Sequence, residues 1–157
     1  MNYNIVNNLK TVKKEIRNAV KLSCLKKKIN LTAVSKTIDS NTICEVAKSG
    51  QISFGENKVQ EALQKWPQIK KLYPKTILHM IGPLQSNKAK DAIKIFDIIE
   101  TVDREKIAVE LKKNMDKYNI FPELYVQVNI GEEKQKSGCM PSETKNFITN
   151  CENNIML

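Results

Sequence analysis

The sequence predicts an α/β protein built around a parallel β-sheet. Short apolar segments of strand type alternate with amphipathic segments of helical period along the 157 residues. This alternation is typical of βα units, whose crossovers are right-handed. Doubly wound sheets and (β/α)8 barrels both fit the pattern, and the lack of a G-x-G-x-x-G motif after the first strand disfavours a dinucleotide-binding fold. A complete barrel takes about 250 residues, so a barrel of this length would hold about five units and the start of a sixth strand.

The first half of the chain predicts an amphipathic helix and then two βα units. Asp39 or Ser40 can cap the second helix, and Gly50 can end it. Pro67 directly follows Trp66 and is expected to break the third helix. The predicted elements are a helix over residues 4–27, a strand over 31–35, a helix ending at 50, a strand over 52–54, a turn over 55–57 and a helix over 59–66.

The second half continues the same alternation. Gly82 and Pro83 form the loop after the third strand, and Asp103 is placed to cap the helix after the fourth strand. The predicted elements are strands over residues 76–81, 97–100 and 124–128, helices over 88–95, 104–118 and from 141, a polar loop over 129–138, and a sixth strand beginning at 154–157.

The composition excludes several classes of function. The net charge is +9, but only two of the basic residues are arginines, Arg17 and Arg104. Phosphate forks and base readout favour arginine, so nucleic-acid binding is not expected as the main role. The four cysteines have no metal-ligand spacing and His79 is the only histidine, so no zinc site is expected. We see neither a secretory signal nor a membrane span, and we expect a cytoplasmic location.

Lys36 is the first candidate site residue, because it directly follows an apolar strand. A lysine amine that is partly desolvated at such a position is neutral and nucleophilic, as a Schiff base with an aldehyde requires. The alternative is a lysine that ends the strand and extends into solvent. This segment alone favours the alternative.

Polar residues also follow the other predicted strands, at the end where α/β folds place their functional loops. Asn57 can hydrogen-bond a ligand or cap a helix. His79 lies within the third strand and is more simply explained as a hydrogen-bonded histidine on the sheet face than as a base. Lys136 can bind an anion or remain solvated. The shared position of these residues is more informative than any one of them.

Four segments together resemble one family. They read AVSKT at residues 33–37, FGENKVQE at 54–61, HMIGPLQSNK at 79–88 and VQVNIG at 126–131, with KSG at 136–138 behind the last. Their order and spacing resemble the pyridoxal 5′-phosphate (PLP) homeostasis proteins. Lys58 departs mildly from the family, which often has an aromatic residue or an arginine there.

The resemblance implies a (β/α)8 barrel of the alanine racemase N-terminal type, here incomplete, with residues 1–157 forming a single partial domain. It implies that Lys36 holds PLP as a Schiff base and that Asn57, Ile81 and Gly82 line the cofactor pocket. Family members are regarded as PLP carriers or regulators of vitamin B6 balance, without established turnover. PLP-dependent apoenzymes are the implied protein partners, and a complete barrel is implied to be a monomer.

The resemblance also implies missing parts. The family continues for roughly another third, with a Ser/Gly-rich loop for the PLP phosphate and an arginine near the pyridine nitrogen; barrels usually place phosphate sites after strands seven and eight. The chain is therefore expected to be C-terminally truncated. Two alternatives stay open: a racemase-like PLP enzyme, for which no second acid/base is identifiable, and a truncated remnant or interaction module that does not bind PLP.

Overall fold

The computed structural model describes residues 5–23 and 28–155 of the chain. Five parallel strands form one sheet whose order follows the chain. The strands are β1 (Ala33–Val34), β2 (Ser53–Glu56), β3 (Ile77–Met80), β4 (Ile98–Val102) and β5 (Glu123–Val126). The helices are α1 (Ile5–Leu22), α2 (Ser40–Lys48), α3 (Val59–Leu72), α4 (Ala89–Ile95), α5 (Glu105–Tyr118) and α6 (Pro141–Asn150), with a 3₁₀ turn at Ser86–Lys88 and a π-helical turn at Cys151–Ile155.

The strand order decides between the two architectures that the sequence allows. A doubly wound sheet reverses its order at a switch point. The described strands run β1-β2-β3-β4-β5 without a reversal, which is the order in a (β/α)8 barrel. Successive right-handed crossovers in one direction place the helices on one side of the sheet.

The hydrophobic core lies between the sheet and these helices. Phe54, Leu78 and Ile99 are each at most 1% exposed and pack with apolar residues of α2 to α5. The residues that alternate with them, such as Ile77 and His79, lie on the opposite side, because side chains alternate along a strand. We call that opposite side the open face of the sheet.

Helix α2 begins as the sequence predicts. The Asp39 carboxylate accepts a hydrogen bond of 3.0 Å from the Thr42 N–H and one of 2.7 Å from its hydroxyl. These bonds lower the pKa of Asp39 from its ordinary value. Of the two possible caps, Asp39 is the one used, while Ser40 is the first helical residue. Gly50 follows the helix with a φ of 91°, which an L-residue with a side chain rarely adopts.

The predicted break at Trp66-Pro67 is wrong, because α3 continues to Leu72. A proline inside a helix costs about 3 kcal/mol. Trp66 and Ile69 lie on either side of it and are 0% and 1% exposed. Since burial of one large apolar side chain gains about 1.5–3 kcal/mol, these two residues together offset the proline.

The turn predicted over residues 55–57 is also partly wrong, because Gly55 and Glu56 belong to β2. The Glu56 side chain is 0% exposed, and its carboxylate accepts a hydrogen bond from the indole N–H of Trp66 on α3. These contacts keep Glu56 in the strand. The first strand is shorter than predicted: only Ala33 and Val34 pair with β2, at its Phe54 and Gly55. Strands β3 to β5 lie within a few residues of their predicted bounds.

Two further predictions, a helix cap and a strand, are corrected in the second half of the chain. Asp103 does not cap α5, whose preceding residue is Arg104; the Asp103 carboxylate instead pairs with the Arg104 guanidinium at 2.5 Å. The sixth strand predicted at 154–157 is wrong for residues 154 and 155, which continue the π-helical turn. Cys151, at the start of that turn, is buried in the core, which keeps the segment packed as a helix. Residues 156 and 157 lie outside the described residues, as do residue 4 and residues 24–27 of the predicted first helix.

None of the helices in the described ranges is both long and apolar enough to cross a lipid bilayer.

Candidate functional site

The C-terminal ends of the first three strands bring three of the predicted site segments together. The Ser35 N–H donates to the Gly55 carbonyl at 2.9 Å, which joins the start of the Lys36 turn to β2. The Ile81 N–H donates to the Glu56 carbonyl at 2.9 Å, which joins the loop after β3 to the same strand. Lys36, Asn57, Ile81 and Gly82 therefore lie on neighbouring loops, as the sequence predicts for a shared site.

Gly82 and Asn57 make the closest of these approaches. A Cβ atom at position 82 would lie 2.3 Å from the Asn57 carbonyl oxygen and 2.7 Å from its Cα. Real Cβ atoms do not approach backbone atoms so closely, so only glycine fits here. Gly55 is also closely packed, since a Cβ atom added to it would lie 3.0 Å from Cδ1 of Ile81. Small residues thus keep the backbones of β2 and the loop after β3 close together.

Lys36 follows the buried Ser35 but is itself exposed. Its amine makes no hydrogen bond or ion pair with any residue of the described ranges. The expected partial desolvation is therefore wrong for the part of the chain that the structure describes. The physical reason is that β1 pairs only with β2 there, so no described strand covers its other edge.

The turn that carries Lys36 has strained backbone at the next residue. Thr37 adopts a φ of 63°, in the left-handed region that a β-branched residue rarely occupies. Its N–H donates to Oε1 of Glu61 on α3 at 2.6 Å. The strain is therefore compensated by a bond to a side chain from a neighbouring helix.

Lys65 is a site residue that the sequence reasoning missed. Its amine lies 2.8 Å from Oε1 of Glu56 and 2.8 Å from Oε1 of Glu61. It also donates to the carbonyls of Ser35 at 3.0 Å and Ile38 at 3.2 Å, on either side of Lys36. The i,i+4 spacing of Glu61 and Lys65 was a sequence signal for part of this arrangement.

The ion pairs shift the pKa values of Glu61 and Lys65 in the directions that favour their charged forms. The hydrogen bond from Lys65 lowers the pKa of Glu61, with a further contribution from the Thr37 N–H. Burial lowers the pKa of Lys65, but hydrogen bonds to Glu56 and Glu61 outweigh burial and raise it overall. The charged forms of both groups are thus the favoured ones.

His79 lies on the open face, inside β3 as the sequence predicts. Its Nδ1 is 2.6 Å from Oε1 of Glu100 on β4, so one ring nitrogen has a carboxylate partner. Its Nε2 is buried and has no partner among the described residues.

Tyr125 on β5 donates to Glu123 at 2.5 Å, and that bond, with the negative charges of Glu123 and Glu100, raises the pKa of Tyr125.

Two grooves border the loop after β3. One, of about 400 Å³, lies between Ile81 and the loop after β5, where Gln127 and Asn129 line it. Lys136 also borders this groove, and it is exposed and paired with Glu133. The described residues contain no group of three or more His, Cys, Asp or Glu side chains placed to hold a metal ion.

The second groove, of about 510 Å³, is basic and borders Asn57. Its charged lining residues are Lys58, Lys88 and Arg104. The Arg104 guanidinium also donates to the Leu84 carbonyl at 3.0 Å, which holds the start of α5 against the loop after β3.

Comparison with known proteins agrees with this geometry, although no family model matches the chain. The pyridoxal phosphate homeostasis protein of Buchnera aphidicola subsp. Schizaphis graminum is 41% identical over 136 residues, which are 86% of this chain and 59% of that protein. PipY of Synechococcus elongatus PCC7942, solved with PLP bound, is 32% identical with a TM-score of 0.72. The alignment covers 87% of this chain and 63% of PipY.

An alanine racemase of Clostridium difficile 630 has the same fold at 16% identity, with a TM-score of 0.66 over 92% of this chain and 37% of the racemase. That likeness agrees with the sequential strand order and supports the barrel type that the sequence resemblance implied. The chain spans about three fifths of the length of the first two relatives, 59% of the Buchnera protein and 63% of PipY. In sequence and in fold, the chain is similar to pyridoxal phosphate homeostasis proteins over the part that it spans.

Proposed function

We propose that the chain binds PLP through a Schiff base on Lys36 and takes part in intracellular PLP homeostasis, as a carrier or regulator without catalytic turnover. The observation that supports this most directly is the position of Lys36. Its exposed amine lies at the C-terminal end of β1, beside the loops that carry Asn57, Ile81 and Gly82. A relative with 32% identity has been solved with PLP bound.

The residues present fit the aldehyde end of PLP. Bound PLP supplies an aldehyde carbon that condenses with a primary amine and releases one water molecule. Lys36 offers an amine free of hydrogen bonds to described residues. Ile81 offers a half-buried apolar side chain, and Asn57 a half-buried amide with both donor and acceptor groups. Gly82 lets the loop backbone approach Asn57, because it has no Cβ.

The phosphate end is not assigned to residues of the described strands. Phosphate sites in barrels usually follow strands seven and eight, and the structure describes five strands. We therefore propose that residues 1–157 form one partial barrel domain that supplies the amine and one wall of the site. PLP-dependent apoenzymes as partners, a monomeric complete barrel and a cytoplasmic location belong to the same proposal.

Absorption spectroscopy tests the Lys36 bond. Purified protein is titrated with PLP, and the imine absorption band is recorded for the wild type, for Lys36→Ala and for Lys58→Ala. Lys58 is an exposed lysine close to the site, so it controls for general loss of a lysine. We expect a saturable band in the wild type and in Lys58→Ala, and its loss in Lys36→Ala. A saturable band of equal strength in Lys36→Ala would contradict the proposal.

The same samples test the absence of turnover. The PLP-loaded protein is incubated with L-alanine, and the formation of D-alanine is followed by chiral chromatography. We expect no racemisation above that of free PLP. Racemisation that requires Lys36 would show that the chain is a racemase-like enzyme instead.

A further inference from the structure

We propose that Lys65 is a positioning residue for Lys36, which it serves by fixing the turn of residues 35–38 to helix α3. This inference rests on the proposed role of Lys36. We call the three side chains Glu56, Glu61 and Lys65 the turn clamp. Lys36 lies between Ser35 and Ile38, the two residues whose carbonyls accept hydrogen bonds from Lys65.

The clamp holds the turn from three directions. Lys65 bonds the carbonyls on both sides of Lys36, at 3.0 and 3.2 Å. Glu61 accepts the Thr37 N–H at 2.6 Å. Glu56 accepts the Ser35 hydroxyl at 2.7 Å. Every residue of the turn other than Lys36 is thus bonded to the clamp through a backbone or side-chain atom.

The donors of Lys65 are fully engaged by this arrangement. An ammonium group has three N–H donors. Four acceptors lie within 3.2 Å of the Lys65 amine: two carboxylate oxygens and two backbone carbonyls. The Glu56 carboxylate is 0% exposed, and the Lys65 side chain is 12% exposed. The whole charge of Lys65 is therefore directed at the clamp and the turn.

Stability alone is a poor explanation for such a pair. Ion pairs with buried members pay a large desolvation cost, and apolar replacements of similar volume are often as stable. Oε2 of Glu56 also has no partner among the described residues, so the carboxylate is only partly compensated. What the clamp provides in return is a fixed backbone at Thr37, whose φ of 63° would otherwise relax.

Loss of the clamp should therefore change the behaviour of Lys36, although no clamp side chain is hydrogen-bonded to the Lys36 amine. Without Lys65, the carbonyls of Ser35 and Ile38 lose their donor, and Glu56 and Glu61 lose their cation. The turn then samples other conformations, and the Lys36 amine spends less time in the geometry that binds PLP. The expected changes are faster exchange of the Thr37 amide and weaker, less selective reaction of Lys36.

The experiment compares four proteins, each comprising residues 1–157: the wild type, Lys65→Met, Glu61→Ala and Lys70→Met. Methionine keeps the length of the lysine chain but removes its charge. Lys70→Met is the matched control, because Lys70 lies on the same helix and pairs instead with Asp97, at 2.7 Å. Glu61→Ala is a second test at a less buried position, in case Lys65→Met fails to fold.

Two readouts are needed. The first is hydrogen exchange of the Thr37 amide without PLP, with the Ile81 amide as reference. The second is the dissociation constant of PLP together with the share of borohydride-trapped PLP found on Lys36. For Lys65→Met we expect Thr37 to exchange about tenfold faster and PLP to bind about tenfold more weakly, in line with the loss of a charged hydrogen bond. Glu61→Ala should show the faster Thr37 exchange, and Lys70→Met should match the wild type.

The two readouts separate failure of this inference from failure of the proposed function. If the wild type traps no PLP on Lys36, the proposed function is wrong, and this inference, which rests on it, falls with it. If the wild type traps PLP on Lys36 and both clamp variants match it in exchange and affinity, Lys65 does not position Lys36. Equal effects of Lys70→Met and Lys65→Met would also overturn the inference, because they would reflect loss of a helix charge.

Discussion

At the scale of single residues, a buried residue and an exposed candidate site residue are direct neighbours in the chain, as Ser35 and Lys36 show. Ser35 is buried and bonded to the carboxylate of Glu56, while its neighbour Lys36 is exposed. The sequence predicted the position of Lys36 from the apolar strand before it. It did not predict Lys65, because lysine on a helix is ordinarily solvated and only the folded chain brings it to the carbonyls of a distant turn.

Gly82 gives a residue-scale prediction. Gly82→Ala places a Cβ against the Asn57 backbone, which cannot rotate away as a side chain can. We expect a loss of about 1–3 kcal/mol in the free energy of unfolding, typical of overpacking, and weaker PLP binding. Urea denaturation measures the first effect and PLP titration the second.

Gly131→Ala is the control for this prediction. Its added Cβ would meet only the Glu133 carboxylate, at 3.2 Å, and that side chain can move. The control should therefore unfold at the urea concentration of the wild type. The account of the contact between Gly82 and Asn57 is contradicted if Gly82→Ala and Gly131→Ala are equally stable.

The pKa directions of Glu61 and Lys65 give a prediction for pH. Glu61 has a folded pKa below its ordinary value of 4.5, so its contribution to stability is present above that pH and is lost as pH falls through the folded pKa. Lys65 has a folded pKa above 10.5, so its contribution is present below that pH and is lost as pH rises through the folded pKa. The clamp should thus stabilise the fold throughout the neutral range.

Denaturation of the wild type and of Glu61→Ala at pH 3, 5, 7 and 9 measures the effect of this pair. The difference in unfolding free energy should be constant between the three higher values and smaller at pH 3. A difference that is unchanged at pH 3 would show that Glu61 acts through packing rather than through its charge.

At the scale of elements, local sequence signals predicted where helices and strands lie better than where they end. The Gly-Glu-Asn sequence at 55–57 has turn propensity. Glu56 nevertheless belongs to β2, because its carboxylate is hydrogen-bonded by Trp66 of α3 and by Ser35, which follows β1. Pro67 has the propensity of a helix breaker, yet buried Trp66 and Ile69 keep α3 helical. In both cases tertiary contacts outweighed local preference.

Pro67 gives an element-scale prediction. Pro67→Ala restores an N–H donor inside α3 at an exposed position, which removes a cost of about 3 kcal/mol from the folded state. The unfolded chain becomes more flexible without the proline, and this offsets about 1 kcal/mol of the gain. We expect the free energy of unfolding to rise by about 2 kcal/mol, measured by urea denaturation. Gln68→Ala, at the exposed neighbouring position, controls for the helix propensity of alanine. A helix that truly ended at Trp66 would gain nothing from Pro67→Ala.

At the scale of the whole molecule, the alternation of strands and helices predicted the fold class but not the winding of the sheet. Two architectures share that alternation, and only the pairing of β1 to β5 in chain order separates them. The environment of Lys36 was equally beyond local reasoning, because its exposure depends on which strands flank β1. The grouping of Lys36, Asn57, Ile81 and Gly82 was predictable, since parallel strands bring their C-terminal ends to one edge.

The most direct test of the central claim is the position of PLP on the chain. Wild-type protein is loaded with an equimolar amount of PLP and reduced with borohydride, and the modified lysine is identified by peptide mass spectrometry. We expect the adduct to be concentrated on Lys36, although the chain has 23 other lysines, most of them on the surface, that could react with PLP. An adduct spread over those surface lysines, with no preference for Lys36, would contradict this claim.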